Sequence, residues 1–248
     1  MKKIPFNDKL GLNQAVLDGW KTMTRRICKY DRPDETYDIV FPVFEPSDYD
    51  NDGNIVSPLN YAFGWRNDKG DFTGWNIPKY KVGEVVAIAQ SYKTINEFYE
   101  IAYKRHNSFH GQIVTKYDIP FKEIVKWFNL RESLKDTAGW TNKMFVKADL
   151  MISHIRITNV KIERLQDISD DECLREGVEF SKERYDYDGT KSYFVQGIKE
   201  IGNRFMRMFY KHFDTPREAF AALIDKVSGK GTWNSNPYVF AYEFELID

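Results

Sequence analysis

A chain of 248 residues, 42% hydrophobic and 16% aromatic, carries enough apolar surface for one large core or two smaller ones, which excludes a disordered or fibrous protein. Its 36 Lys and Arg nearly cancel 37 Asp and Glu to leave a net charge of −1, so the whole-chain field cannot steer a polyanion and any nucleic-acid contact must come from a local patch. No apolar run approaches the roughly 20 residues that span a bilayer, and Met1-Lys2-Lys3 leads into Ile4-Pro5-Phe6 without the apolar stretch of a signal peptide, so the expectation is a cytoplasmic protein.

Ile4 to Phe6 reads as a short strand, and the spacing of Leu10, Leu12, Ala15, Val16 and Leu17 suits one apolar helix face that Gly19 stops. Tyr30 to Lys81 is rich in Asp, Asn, Gly and Pro, with β-type runs at Tyr37 to Val43 and Tyr61 to Trp65 and a hairpin turn near Asn67-Asp68-Lys69-Gly70. Val82 to Ala89 is a turn followed by a buried strand. Residues 94 to 142 form a second, partly helical insertion with aromatic residues at Phe98, Tyr99, Tyr103, Trp127 and Phe128. Met144 to Ala148 and Ile152 to Leu165 have the imperfect alternation of half-buried strands.

Ser169-Asp170-Asp171-Glu172 is a capping-box pattern that launches a short helix to about Glu176, ended by Gly177. Tyr185 to Asp214 is expected to be helical. Thr215-Pro216-Arg217-Glu218 combines an N-cap, Pro at the first helical position and Glu two residues further on, and starts a helix to about Val227. Pro237 to Ile247 is an apolar, aromatic strand. Dispersed strands with unequal gaps point to an α+β fold: a small mixed β-barrel in one domain over 1–248, with flanking helices and large insertions at about 30–80, 94–142 and 185–230.

Chemistry concentrates in Gly19-Trp20-Lys21-Thr22-Met23-Thr24-Arg25-Arg26, three cations and two hydroxyls directly after a helix stop. Lys21 offers a compact ammonium, Arg25 and Arg26 offer planar forks for phosphates or base edges, and Trp20 offers a stacking plate. The same string also fits a solvated loop capping a helix C-terminus, where cations are favoured anyway. His106 and His110 stand at i and i+4 but lack a third ligand, Cys28 and Cys173 lack paired spacing and read as free thiols, and nothing calls for a metal or cofactor. Arg204, Arg207 and Lys211 make a basic stripe on the expected helix, and Trp233 and Tyr238 suit packing around the last strand more than base stacking. Gly229 and Gly231 are too few for a phosphate loop.

The string from Gly19 to Arg26, the Val82-Gly83-Glu84-Val85-Val86 turn and strand, Leu165-Gln166-Asp167-Ile168, Arg175-Glu176-Gly177-Val178 and Asn236-Pro237-Tyr238-Val239-Phe240 together resemble the ASCH family, in order and over about a third of the chain. The chain also resembles the longer ASCH proteins of phages and bacterial mobile elements. The resemblance implies a PUA-like β-barrel whose cleft holds RNA, DNA or a modified nucleoside, RNA ahead of DNA, with Gly19, Trp20, Thr22, Arg25 and Arg26 at the ligand.

One branch of the family deacetylates N4-acetylcytidine with a Lys, a Thr three residues later and a Glu, which fall here on Lys21, Thr24 and Glu176. That amidohydrolase reading is chemically coherent. A hydroxyl such as Thr24's needs a base, a desolvated lysine can serve as one, and a carboxylate at a helix end suits proton transfer to the leaving amine. The alternative role for Glu176 is a salt bridge to Lys21 or Arg25 that only holds the loop. Trp20 where Arg is common, Arg26 after Arg25, and a length more than twice that enzyme's depart from the pattern. A third reading is a non-enzymatic module that binds a protein partner through the insertions.

Overall fold

The strongest strand signal in the sequence lies at its end, where the seven residues from Phe240 to Leu246 alternate aromatic or branched side chains with small or acidic ones. In a computed structural model, which describes residues 1–42, 61–107, 119–182, 189–201 and 208–247, this segment lies in a central nine-residue strand with five of its residues buried. The strands and helices are, in chain order, β1 (Lys3–Ile4), α1 (Leu12–Leu17), β2 (Met23–Ile27), β3 (Tyr37–Val40), β4 (Gly64–Asn67), β5 (Val85–Ile88), α2 (Tyr92–Asn107) and α3 (Phe121–Arg131). They continue with β6 (His154–Arg164), α4 (Asp170–Arg175), β7 (Glu179–Phe180), β8 (Tyr193–Phe194), β9 (Lys199–Ile201), β10 (Met208–Tyr210), α5 (Pro216–Ser228), α6 (Thr232–Ser235) and β11 (Tyr238–Leu246).

Five strands form a mixed sheet in the order β1-β5-β6-β11-β2, in which β1 runs parallel to β5 while β5–β6 and β11–β2 are antiparallel. The remaining strands pair as two-stranded ribbons, β3–β4, β7–β8 and β9–β10. The α+β class therefore holds, but the expected barrel does not: among the described residues the sheet is open. Closing a sheet needs a continuous hydrogen-bond ladder at both edges, and β1, at one edge, has only two residues.

Backbone contacts divide the chain into two compact units. The first comprises Met1–Phe6, Val85–Arg156 and Leu246–Asp248. On α2 the buried Tyr92 and Ile95, three residues apart on one helix face, join a core with Ala87, Ala89, Trp127, Val146 and Met151. Tyr99 stacks on Trp127 at 5.2 Å, so these two aromatic residues of the 94–142 insertion help to build the interior of this unit. Lys3 Nζ donates to the carbonyls of Lys143, Met144 and Val146 at 3.2, 2.6 and 2.8 Å, which fastens the short β1 to a chain of 3₁₀ turns. Met144 to Ala148, expected as a strand, lies in those turns (Lys143–Phe145 and Ala148–Leu150), because Asn142 accepts from Met144 N–H and starts a turn instead.

The second unit comprises Asn7–Glu84 and Ile157–Glu245. Its β3–β4 ribbon carries the expected turn at Asn67–Gly70, closed by Gly70 N–H to Asn67 O at 3.0 Å with Gly70 at φ +87. Phe63, Trp65, Tyr238 and Phe240 form an aromatic cluster with centroids 4.9 to 5.9 Å apart. Arg164 stacks over Tyr238 at 4.0 Å and Arg217 over Trp233 at 5.5 Å, so these two rings are packing partners.

Both caps read from the sequence are present. Ser169 and Glu172 exchange side chain to backbone bonds, and Thr215 Oγ1 accepts from Glu218 N–H. The backbone N–H groups of Gly231 and Trp233 are taken up by the Asp225 carboxylate at 3.1 and 2.8 Å, so the glycine pair there serves a cap within the chain. The helix expected over 185–214 does not form in its described part, which holds β8, β9 and β10 instead. Gly197 at φ +81 breaks helical geometry there. Arg204, Arg207 and His110 lie outside the described residues.

Candidate functional site

Of the ionic residues singled out by sequence, Lys21, Arg25 and Glu176 meet in one place, and its organising residue is Glu176. Thr22 N–H donates to Arg175 O at 3.0 Å and Phe244 N–H to Thr22 O at 2.9 Å, which clamps the segment after Gly19 between the end of α4 and β11. Lys21 then folds under α4. Its Nζ donates to Met23 O at 2.6 Å, Glu176 O at 2.6 Å and Glu176 Oε2 at 3.0 Å. The other carboxylate oxygen, Glu176 Oε1, accepts from Arg25 Nη1 at 3.2 Å.

Arg25 completes the cluster from β2. It gives Nε to Glu163 Oε1 at 2.9 Å and Nη2 to Glu163 Oε1 at 2.5 Å and Glu172 Oε2 at 2.8 Å. Lys161, on the same side of β6 as Glu163, bridges to Glu163 and Glu172. Three cations thus face three carboxylates. The side chains of Lys21, Arg25 and Glu176 are 1%, 0% and 6% exposed, so the centre of the network is out of water.

The electrostatics follow from that burial. Desolvation lowers the Lys21 pKa from its ordinary 10.5, with Glu176 pulling the other way. Its three acceptors nevertheless need three N–H donors, which only the ammonium supplies. Burial also works against charge on Arg25, but Glu176, Glu163 and Glu172 outweigh it and raise its pKa. Burial opposes ionisation of Glu172 as well, yet Lys161, the Ser169 N–H and Arg25 bring its pKa below the ordinary 4.5, and Arg175 does the same for Glu243.

Because these two carboxyls hold protons less tightly folded than unfolded, their stabilising contribution is complete above about pH 4.5 and is lost as pH falls through the lower folded values. Urea midpoints should therefore be flat from pH 7 to about 5 and fall below that. In Glu172→Gln the acid-side fall should be shallower, and an unchanged slope would contradict the assignment.

Thr24 does not join Lys21 and Glu176. Successive residues of a strand face opposite sides, so Arg25 lies on the carboxylate side while Thr24 and Arg26 lie on the other, across from Tyr242 and Phe240 on β11. There Tyr80 and Tyr242 pack edge to face at 5.4 Å, and burial pushes both phenols up to about 12. The trio inferred by resemblance is thus split: its acid and amine form a buried pair, and its hydroxyl is on the far side of β2. Cys28 and Cys173 are free and buried, with thiols pushed up to about 12 by desolvation.

What reaches the surface is the start of the segment. Gly19 is exposed at φ +80 with open space around it, and Trp20, Thr22 and Arg26 are half-buried. Arg175, 34% exposed, donates Nε to Thr22 Oγ1 at 2.9 Å and Nη2 to Glu243 Oε2 at 2.9 Å, and Asn159 Nδ2 donates to Glu243 Oε1 at 3.1 Å. Sequence reasoning missed Arg175, Glu243, Glu163 and Lys161. Glu172 was visible only as a cap, and nothing local ties Glu163 to an arginine 138 residues earlier. No protein-family model, curated protein or solved structure matches the chain.

Proposed function

We propose that this chain is an ASCH-type binding protein for RNA, DNA or a modified nucleoside, RNA ahead of DNA, and that it is not a deacylase. The observation that supports binding over hydrolysis is the set of three acceptors around Lys21 Nζ. An ammonium donating to two carbonyls and a carboxylate has no lone pair with which to take the Thr24 proton, and Thr24 faces away from it. The buried ions then serve as a fixed pier under the exposed rim, where Trp20 offers a ring and Thr22 with Arg175 offers a hydroxyl and a cation.

Titrations with single-stranded oligonucleotides and with N4-acetylcytidine test this. Binding should weaken about tenfold in Trp20→Ala, the scale of one lost base stack, and N4-acetylcytidine should stay intact. A flat titration with polymer and nucleoside alike would overturn the binding role. Turnover that disappears in Thr24→Ala would overturn the non-catalytic one.

A further inference from the structure

The near-zero net charge hides a separation. The unit built from residues 1–6, 85–156 and 246–248 holds 13 Lys and Arg against 8 Asp and Glu, so the excess of acid lies in the rest of the chain. Within the basic unit the charge gathers where the end of α2 meets the start of α3. Tyr103 and Phe121 stack there with centroids 6.3 Å apart and planes 25° from parallel, and His106 packs against Phe121 at 4.9 Å. Lys104 and Arg105 follow Tyr103 in the chain, Lys122 follows Phe121, and all three are exposed, while the flanking carboxylates Glu100 and Glu123 pair with Arg131 and Lys126.

Ordinary helix energetics explains only part of this. Lys104, Arg105 and His106 occupy the last turn of α2, where the helix dipole favours cations. Lys122 occupies the first turn of α3, where the dipole disfavours one, and two large rings are left 40% and 44% exposed at Tyr103 and Phe121. Exposed rings with exposed cations beside them in the chain match the two components of a nucleic-acid strand: bases that stack and phosphates that need counter-charge.

We infer that the α2–α3 corner is a binding surface for single-stranded nucleic acid, with an unpaired base on the Tyr103–Phe121 pair and neighbouring phosphates at Lys104, Arg105 and Lys122. It goes beyond the Gly19–Arg26 rim and uses no residue of it. Only single strands present free ring faces, and a polyanion complements three exposed cations.

The test is fluorescence anisotropy of the full chain with 12-nucleotide single-stranded RNA and DNA, the same sequences as duplexes, and vesicles containing an anionic phospholipid. Lys104→Ala/Arg105→Ala/Lys122→Ala should lose at least tenfold in affinity, with the logarithmic salt slope shallower by about two. Tyr103→Leu/Phe121→Leu should lose about tenfold with the slope unchanged. Thermal melts should match the parent for the charge variant, whose side chains are exposed, and fall only slightly for the ring variant, which loses the contacts with Phe128 and His106 but keeps an apolar side chain at each position.

Equal affinity in parent and both variants overturns the assignment, as does tighter binding of duplex or of vesicles. If Trp20→Ala weakens binding while these variants do not, the rim reading stands and this one falls. If the corner variants weaken binding and Trp20→Ala does not, the reverse holds.

Discussion

Replacing Arg25 with alanine is expected to cost about 3–5 kcal/mol, the scale of breaking a buried ion pair from one side, and for a chain of this length to lower the melting temperature by about 10 °C. The mutation removes the single cation that touches Glu163, Glu172 and Glu176 together, while those carboxylates stay where they are. Arg25→Lys should not restore stability, because one ammonium cannot span three carboxylates that a planar fork reaches at once.

The signature that separates this from loss of packing is its pH dependence. Stranded carboxylates are relieved by protonation, so the gap between parent and Arg25→Ala in urea melts should narrow as pH falls from 7 to 4. A second change, Glu176→Gln, should recover part of the loss. A gap that is constant with pH would show that the guanidinium matters for its volume and not its charge.

Gly197→Ala is expected to be comparably severe, about 4 kcal/mol, for a reason unrelated to charge. The residue holds φ +81, which costs an L side chain roughly 1–2 kcal/mol. A Cβ there would stand 2.0 Å from Lys9 O, 3.0 Å from Lys9 C and 3.2 Å from Leu10 Cα, all backbone, so relief requires moving the chain ahead of α1. Gly229→Ala is the matched control: φ is +112, nothing lies within 4 Å, and only the backbone penalty should appear in the melt. Similar midpoints for the two variants would mean that the approach of Gly197 to Lys9 is not a constraint in solution.

The elements that sequence located correctly are those whose signal is local. The caps at Ser169 and Thr215 depend on residues three apart, the Asn67–Gly70 turn on adjacent residues, and β11 on a run of β-formers, so each could be read without knowing its neighbours. The 185–214 segment failed because its apolar and aromatic residues fit a helix and a ribbon equally well, and neither the left-handed backbone of Gly197 nor its close approach to Lys9 is visible in a local window. Barrel closure failed for a related reason. Whether an edge strand has enough ladder to close is set by pairing across the sheet and not by any strand's own residues.

By itself the sequence determined the α+β class and the two capped helices, and it singled out Lys21, Arg25 and Glu176 as candidates, because residue types, spacing and local hydrogen-bonding preference carry that information. The tertiary structure decided what those residues do. Burial turned a cationic loop into a desolvated ionic network, strand alternation sent Thr24 away from Lys21, and contacts spanning 138 to 155 residues supplied the carboxylates. Burial and the meeting of distant residues are properties of the packed chain, and no window of sequence contains them.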